Sequence, residues 1–175
     1  MRKSTVRDLT LAAMVAALYA VMCYFGNLFG LTFGSVQIRF AEALTVLPFL
    51  FPVTGPGLVL GCFIANLLSP YGVLDILFGT LATAIAAYFT AKMPNRALAP
   101  LPPILANMIL LPPIWAWAEV GAINGAFFAA LGFNAFTFVI GEAVACYGLG
   151  LLLLKALEQI PFTRAMISSE RRLAR

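Results

Sequence analysis

Long apolar runs separated by short polar breaks set the pattern of this chain. Leu9 to Phe25 carries no charge and follows the basic head Met1-Arg2-Lys3, which predicts a first helix over about residues 8–29. The run is too long for the core of a signal peptide and ends in no Ala-x-Ala cleavage site, so it reads as a retained span. Further runs predict helices over about residues 38–51, with Pro48 inside and Pro52 closing it, and 57–68. A fourth is expected over 70–91, with Ser69 as its N-cap and Pro70 at the first helical position. Lys92-Met93-Pro94-Asn95-Arg96 is the most polar internal connection. A fifth helix is expected over 101–118, bent or broken by Pro112-Pro113 before the Trp115-Ala116-Trp117-Ala118-Glu119 segment. Val120 to Gly132 reads as a loop or a short half-buried helix, and 133–157 as the last span before a basic tail.

A helical crossing takes about 20 residues. The 175 residues are 62% hydrophobic and 10% charged, with a mean hydropathy of +0.98, so they hold five or six crossings and leave no room for an aqueous domain. The expected fold class is an all-α integral membrane protein, a six-transmembrane-helix bundle forming one domain over 1–175. The net charge of +4 does not argue for nucleic acid, because of where the charge lies. With six spans, Arg2, Lys3, Arg7, Lys92, Arg96, Lys155, Arg164, Arg171, Arg172 and Arg175 share one side. The positive-inside rule makes that side, with both termini, cytoplasmic. The basic residue left over is Arg39.

Arg39 and Glu42 lie three residues apart at the start of an apolar run, on one face of a helix. A charge at the centre of a bilayer costs about 2.5–3.5 kcal/mol on insertion scales, so such residues face a bundle interior or a wet cavity. The proposed orientation brings Arg39, Glu42, Asn66, Asp75, Trp115, Trp117, Glu119 and Glu142 into the outer half. With every group ionised, Arg39 faces four carboxylates, an arrangement suited to a donor-rich or cationic ligand. Simpler roles exist for each. Arg39 and Glu42 can pair at the interface, Asp75 can serve a helix dipole, and Asn66, Asn107 and Asn134 can be interhelical glue. Trp115 and Trp117 can belong to an interfacial belt. Ala12, Ala16 and Ala20, with Ala13 and Ala17 beside them, form a small-residue line suited to internal packing or to docking another membrane protein.

Cys23, Cys62 and Cys146 show no paired spacing and the chain has no His, so neither a disulfide framework nor a metal site is expected. The cysteines read as packing residues. No G-x-x-x-x-G-K-[ST], G-x-S-x-G or H-E-x-x-H motif occurs, so the chain is expected to bind no cofactor, to be no enzyme, and to be unable to drive ATP-powered transport alone.

Three segments carry a resemblance: Val36 to Pro48 (VQIRFAEALTVLP), Gly61 to Leu67 (GCFIANL) and Leu74 to Thr83 (LDILFGTLAT). Leu105-Ala106-Asn107 and Gly141-Glu142-Ala143 follow in kind and order. Over about residues 5–157 the chain resembles the QueT family of queuosine-precursor transporters, substrate-binding S components of energy-coupling factor (ECF) transporters. The resemblance implies a bacterial plasma-membrane protein with six transmembrane helices, a deep outward-facing site and a loop after the first helix that lids it. It implies that Ala12, Ala16 and Ala20, or Ala13 and Ala17, dock a transmembrane T component working with two cytoplasmic ATPases, which hydrolyse the ATP. The implied ligand is a 7-deazaguanine base. Glu142 or Glu42 is expected to read its guanine edge with Asp75 nearby, Asn66 and Asn107 its carbonyl and ring nitrogens, and Trp115 or Trp117 to stack on it. Two rivals stand beside this reading: an S component for another heterocycle such as a vitamin, and a stand-alone proton-coupled carrier using Glu42, Asp75 or Glu142.

Overall fold

The computed structural model describes residues 6–30 and 39–173, with side chains as far as residue 167. The loop expected to lid the site falls on residues outside this description, as do the side chains of Arg171, Arg172 and Arg175.

Helix α1 (Val6–Leu28) runs without interruption because its 23 residues include no proline, and Asp8 in its first turn suits the helix dipole. At 1.5 Å per residue it is about 34 Å long, enough for a hydrocarbon core of about 30 Å. Val15, Ala16, Tyr19, Cys23 and Gly26 face inward, while Leu9, Met14, Leu18, Val21 and Phe25 are exposed, as on a helix sheathed in lipid.

Helix α2 (Gly55–Asn66) packs on α1 through Gly57 and Gly61, which stand four residues apart. A Cβ on Gly57 would lie 2.2 Å from the Ala12 carbonyl oxygen, and one on Gly61 2.7 Å from that of Ala16. Only glycine permits backbones this close, which is the small-residue packing of membrane helices. The alanine line is thereby divided. Ala16 is buried in the α1–α2 contact with Ala12 beside it, Ala20 is half-buried, and Ala13 and Ala17 remain on the exposed face.

Between α1 and α2 the expected second span is a 3-10 helix, Phe40–Phe49, followed by a shorter one, Pro52–Thr54. At about 2.0 Å per residue its ten residues cover about 20 Å, less than a crossing. Ala41 to Phe49 are all buried, so the segment threads the bundle instead of meeting lipid, where its irregular backbone is tolerated. Thr45 Oγ1 donates to the Glu42 carbonyl at 2.6 Å and Cys146 Sγ lies 3.4 Å from the same oxygen. Across from it, a Cβ on Gly150 would meet the Val46 methyls at 3.2 Å.

Helix α3 is Val73–Thr90 and starts after Gly72 at φ 63, so neither Ser69 nor Pro70 caps it; Ser69 Oγ instead accepts from the Tyr71 amide at 3.2 Å. Asp75 accordingly sits in the first turn. Helix α4 (Leu101–Val120) passes through Pro112-Pro113 without breaking, although the prolines leave the carbonyls of Met108 and Ile109 without their usual donors. Helix α5 starts at Gly125, capped by Asn124, whose Oδ1 accepts from the Phe127 amide at 3.1 Å. Of the two readings of residues 120–132, loop or short helix, the helical one holds from Gly125 onward, as the start of α5. Helix α5 (Gly125–Ala143), a π-helical segment (Val144–Gly150) and α6 (Leu151–Gln159) form one 35-residue rod, and Pro161 begins α7 (Pro161–Leu173). Arg96 pairs with Glu158 at 3.0 Å, tying the α3–α4 connection to α6.

Among the described residues the fold is all-helical, and four helices are long and apolar enough to cross a membrane: Val6–Leu28, Val73–Thr90, Leu101–Val120 and the rod Gly125–Gln159. Phe40–Phe49 and Pro52–Asn66 are shorter apolar pieces.

Candidate functional site

The buried charges meet where the 3-10 helix begins. Residues three apart eclipse one another in a 3-10 helix, which stacks Arg39, at its N-cap, over Glu42. Arg39 Nε lies 3.7 Å from Glu42 Oε1, with both side chains buried. Tyr19 of α1 donates its hydroxyl to the same Glu42 oxygen at 2.5 Å. Arg39 Nη2 donates to Asn66 Oδ1 at 3.2 Å, and Asn66 Nδ2 donates to the Asp75 carbonyl at 3.1 Å and lies 3.4 Å from Cys62 Sγ. Both amide hydrogens of Asn66 are thus directed at protein partners.

At the other end of this chain of contacts, Trp115 Nε1 donates to Asp75 Oδ1 at 3.2 Å. The indole is only 1% exposed, with Tyr71 stacked at 5.3 Å and Phe138 edge-on at 5.2 Å. Its ring face is occupied by Tyr71, so in this structure Trp115 is a hydrogen-bond donor and not an open stacking platform. Burial, then the charges of Glu119 and Asp75, hold the Tyr71 phenol above its ordinary range.

On the far side of Glu42, Asn107 Nδ2 donates to Glu142 Oε1 at 3.0 Å, and Cys146 Sγ approaches Glu142 Oε2 at 3.6 Å. Cys146 therefore lies between the two glutamates, in contact with the Glu42 carbonyl and the Glu142 carboxylate.

The structure brings together Arg39, Glu42, Asn66, Asp75, Asn107, Trp115 and Glu142. It leaves out Trp117, which is 47% exposed, and Glu119, which is exposed and accepts from Asn134 Nδ2 at 3.2 and 3.3 Å. Residues that the sequence reading did not single out complete the cluster: Tyr19, Tyr71 and Phe138, and the thiols of Cys62 and Cys146 that it took for packing. A tyrosine in an apolar helix, four residues from Val15 and from Cys23 on the buried face, was the available signal for Tyr19.

Three buried polar atoms of the cluster have no hydrogen-bond partner in the protein: Arg39 Nε, Glu42 Oε2 and Asp75 Oδ2. An unpaired buried polar atom costs about 1–3 kcal/mol, more when charged, and three of them fall within this one linked cluster. With all groups ionised, Arg39 faces Glu42, Asp75 and Glu142, a surplus of negative charge. Two clefts lie on the flanks and contain none of these residues. One, of about 730 Å³, runs between α2 and α3 past Gly55, Leu60, Ala84 and Tyr88. The other, of about 920 Å³, is bounded by α1, α6 and α7 past Met14, Ala17, Leu157 and Phe162. Among the described residues no group of three His, Cys, Asp or Glu is placed to hold a metal ion.

Residues 9–159 match the family model described as QueT transporter. The chain is also similar to a curated protein, the queuosine precursor transporter QueT of Lactococcus lactis subsp. cremoris (strain MG1363), at 32% identity over 85 residues. That alignment covers 49% of this chain and 50% of the relative, so it spans about half the length of each. No solved structure matches the chain.

Proposed function

The chain belongs to the QueT transporter family, and from that premise we propose that it is the substrate-binding S component of an ECF-type importer for a queuosine precursor, a 7-deazaguanine base. The observation that carries the substrate class is the set of unpartnered atoms in the buried cluster. Arg39 Nε is one donor, while Glu42 Oε2 and Asp75 Oδ2 are two acceptors. A guanine-type edge is the complement: one carbonyl acceptor, a ring N–H and an exocyclic amine. The relative's name specifies a queuosine precursor, in keeping with this pattern. Arg39 takes the carbonyl, and Glu42 and Asp75 share the donors. Asn107 and Cys146 already engage both oxygens of Glu142, so this residue backs the site and Glu42 reads the ligand. A cationic aminomethyl arm offsets part of the surplus negative charge.

In this reading the 3-10 helix and α2, each shorter than the hydrocarbon core, serve as the second and third of six crossings of a bacterial plasma membrane, with both termini cytoplasmic as the positive-inside rule favours. The chain binds no cofactor. ATP is hydrolysed by two cytoplasmic ATPases reached through a transmembrane T component, which docks on the exposed Ala13 and Ala17 face of α1. The test is uptake of a radiolabelled precursor by cells carrying this chain with its coupling module. Inactivating the ATPases should abolish uptake; uptake that persists, and collapses with the proton gradient, would replace this reading with that of a stand-alone carrier.

A further inference from the structure

Asn66 and Gly79 meet in the wall of the cluster, where α2 crosses α3. Asn66 is fully buried. Its Oδ1 accepts from Arg39 Nη2 at 3.2 Å, and its Nδ2 donates to the Asp75 carbonyl at 3.1 Å and approaches Cys62 Sγ at 3.4 Å. One carboxamide therefore joins the N-cap of the 3-10 helix to the first turn of α3. It fits there because Gly79, one turn beyond Asp75, has no side chain: a Cβ at that position would lie 2.5 Å from Asn66 Nδ2 and 3.8 Å from Asp75 Oδ1. Gly79 is in the interior of a helix, where glycine is a poorer helix former than alanine. Its conformation is ordinary, since the positive-φ glycines are Gly30, Gly72 and Gly121. Backbone freedom does not explain this glycine, whereas the space for Asn66 does.

We infer that Asn66 and Gly79 are a positioning pair for Arg39: Gly79 leaves the hollow that seats the Asn66 carboxamide, and Asn66 fixes the guanidinium so that its Nε, ion-paired with Glu42 at 3.7 Å but without a hydrogen-bond partner, takes the ligand's carbonyl oxygen. This rests on the functional reading above, and it moves Asn66 from reading the ligand to holding the residue that does. The pair is a specificity device. Displacing Asn66 frees the guanidinium to rotate away from the carbonyl oxygen, which penalises a base that carries this oxygen and spares one that does not.

The test is a double-mutant cycle on the purified full-length chain, using Gly79→Ala, Asn66→Ala and the double variant. The ligands are 7-deazaguanine and 7-deaza-6-thioguanine, which keeps the ring N–H and the amine but replaces the carbonyl oxygen with sulfur, a much weaker acceptor. Gly79→Ala and Asn66→Ala should each weaken 7-deazaguanine binding about tenfold or more, the scale of a lost hydrogen bond to a charged group, and change binding of the analogue far less. The double variant should bind both ligands as Asn66→Ala does, because coupled residues are non-additive. Equal losses for the two ligands, or a Gly79→Ala penalty that persists when combined with Asn66→Ala, would overturn the proposal. Thermal unfolding of the same four proteins gives a ligand-free reading. Gly79→Ala should lower the midpoint of the wild type, and should leave that of the Asn66→Ala variant unchanged or raise it, since alanine is the better helix former. If the wild type binds neither base, the functional reading fails, and the stability cycle still decides whether Gly79 acts through Asn66.

Discussion

Tyr19 Oη and Glu42 Oε1 lie 2.5 Å apart, joining the first helix to the buried carboxylate at the centre of the polar cluster. The bond fixes the Glu42 carboxylate with one oxygen satisfied and the other, Oε2, free. Tyr19→Phe keeps the ring and removes the donor, leaving a second Glu42 oxygen short of a partner. The expected loss of stability is about 1–3 kcal/mol, read as a lower thermal midpoint in detergent, with precursor affinity reduced about tenfold. Unchanged affinity would show that the orientation of Glu42 does not matter to the ligand.

The α1–α2 contact makes a prediction about glycine. Gly57→Ala places a Cβ 2.2 Å from the Ala12 carbonyl, so the helices must separate, at a cost of about 1–3 kcal/mol. Gly55→Ala is the control, since its Cβ would meet Ala87 Cβ at an ordinary 3.5 Å. Thermal unfolding of the two variants should separate them clearly, and equal midpoints would contradict the packing described.

The divided alanine line predicts opposite outcomes for neighbours. Ala17→Trp, on the exposed face, should abolish co-purification with a T component and leave precursor binding intact. Ala16→Trp, buried against Gly61, should lower stability and binding together. If Ala17→Trp leaves co-purification unchanged, the docking face lies elsewhere.

Trp115 and Trp117 should separate in the same way. Trp115→Phe removes the indole N–H from Asp75 Oδ1 and should weaken precursor binding about tenfold, whereas Trp117→Phe, half exposed and outside the cluster, should not. Titration of the two purified variants checks this, and equal effects would place Trp117 at the site after all.

The sequence made the long apolar helices legible because composition and length decide them, and α1 and α4 begin and end close to where their patterns place them. It made the cluster legible as well, since a charge in an apolar run has few places to go, and Arg39, Glu42, Asp75 and Glu142 all lie buried. The 3-10 form of Phe40–Phe49 was not legible. Its apolar pattern suits an α-helix equally well, and only the surrounding helices select the tighter coil. Gly72 displaced the expected Ser69 cap, and Asn124 capped a helix where the glycines left loop and short helix equally open. The exclusion of Trp117 and Glu119 follows from the direction in which α4 presents them, since Trp115, two residues before Trp117, faces inward. Tyr19 and Cys146 were passed over because each looks like ordinary apolar packing until the partner from a distant segment is in place.

The most direct test of the central claim is calorimetric titration of the purified protein with 7-deazaguanine precursors, with guanine, and with riboflavin as the unrelated heterocycle. Tight binding of a precursor is expected, with no binding of riboflavin and with loss of precursor binding in Glu42→Gln, which removes the carboxylate proposed to read the guanine edge. Absence of deazaguanine binding by protein shown to be folded, or full affinity retained in Glu42→Gln, would contradict that claim.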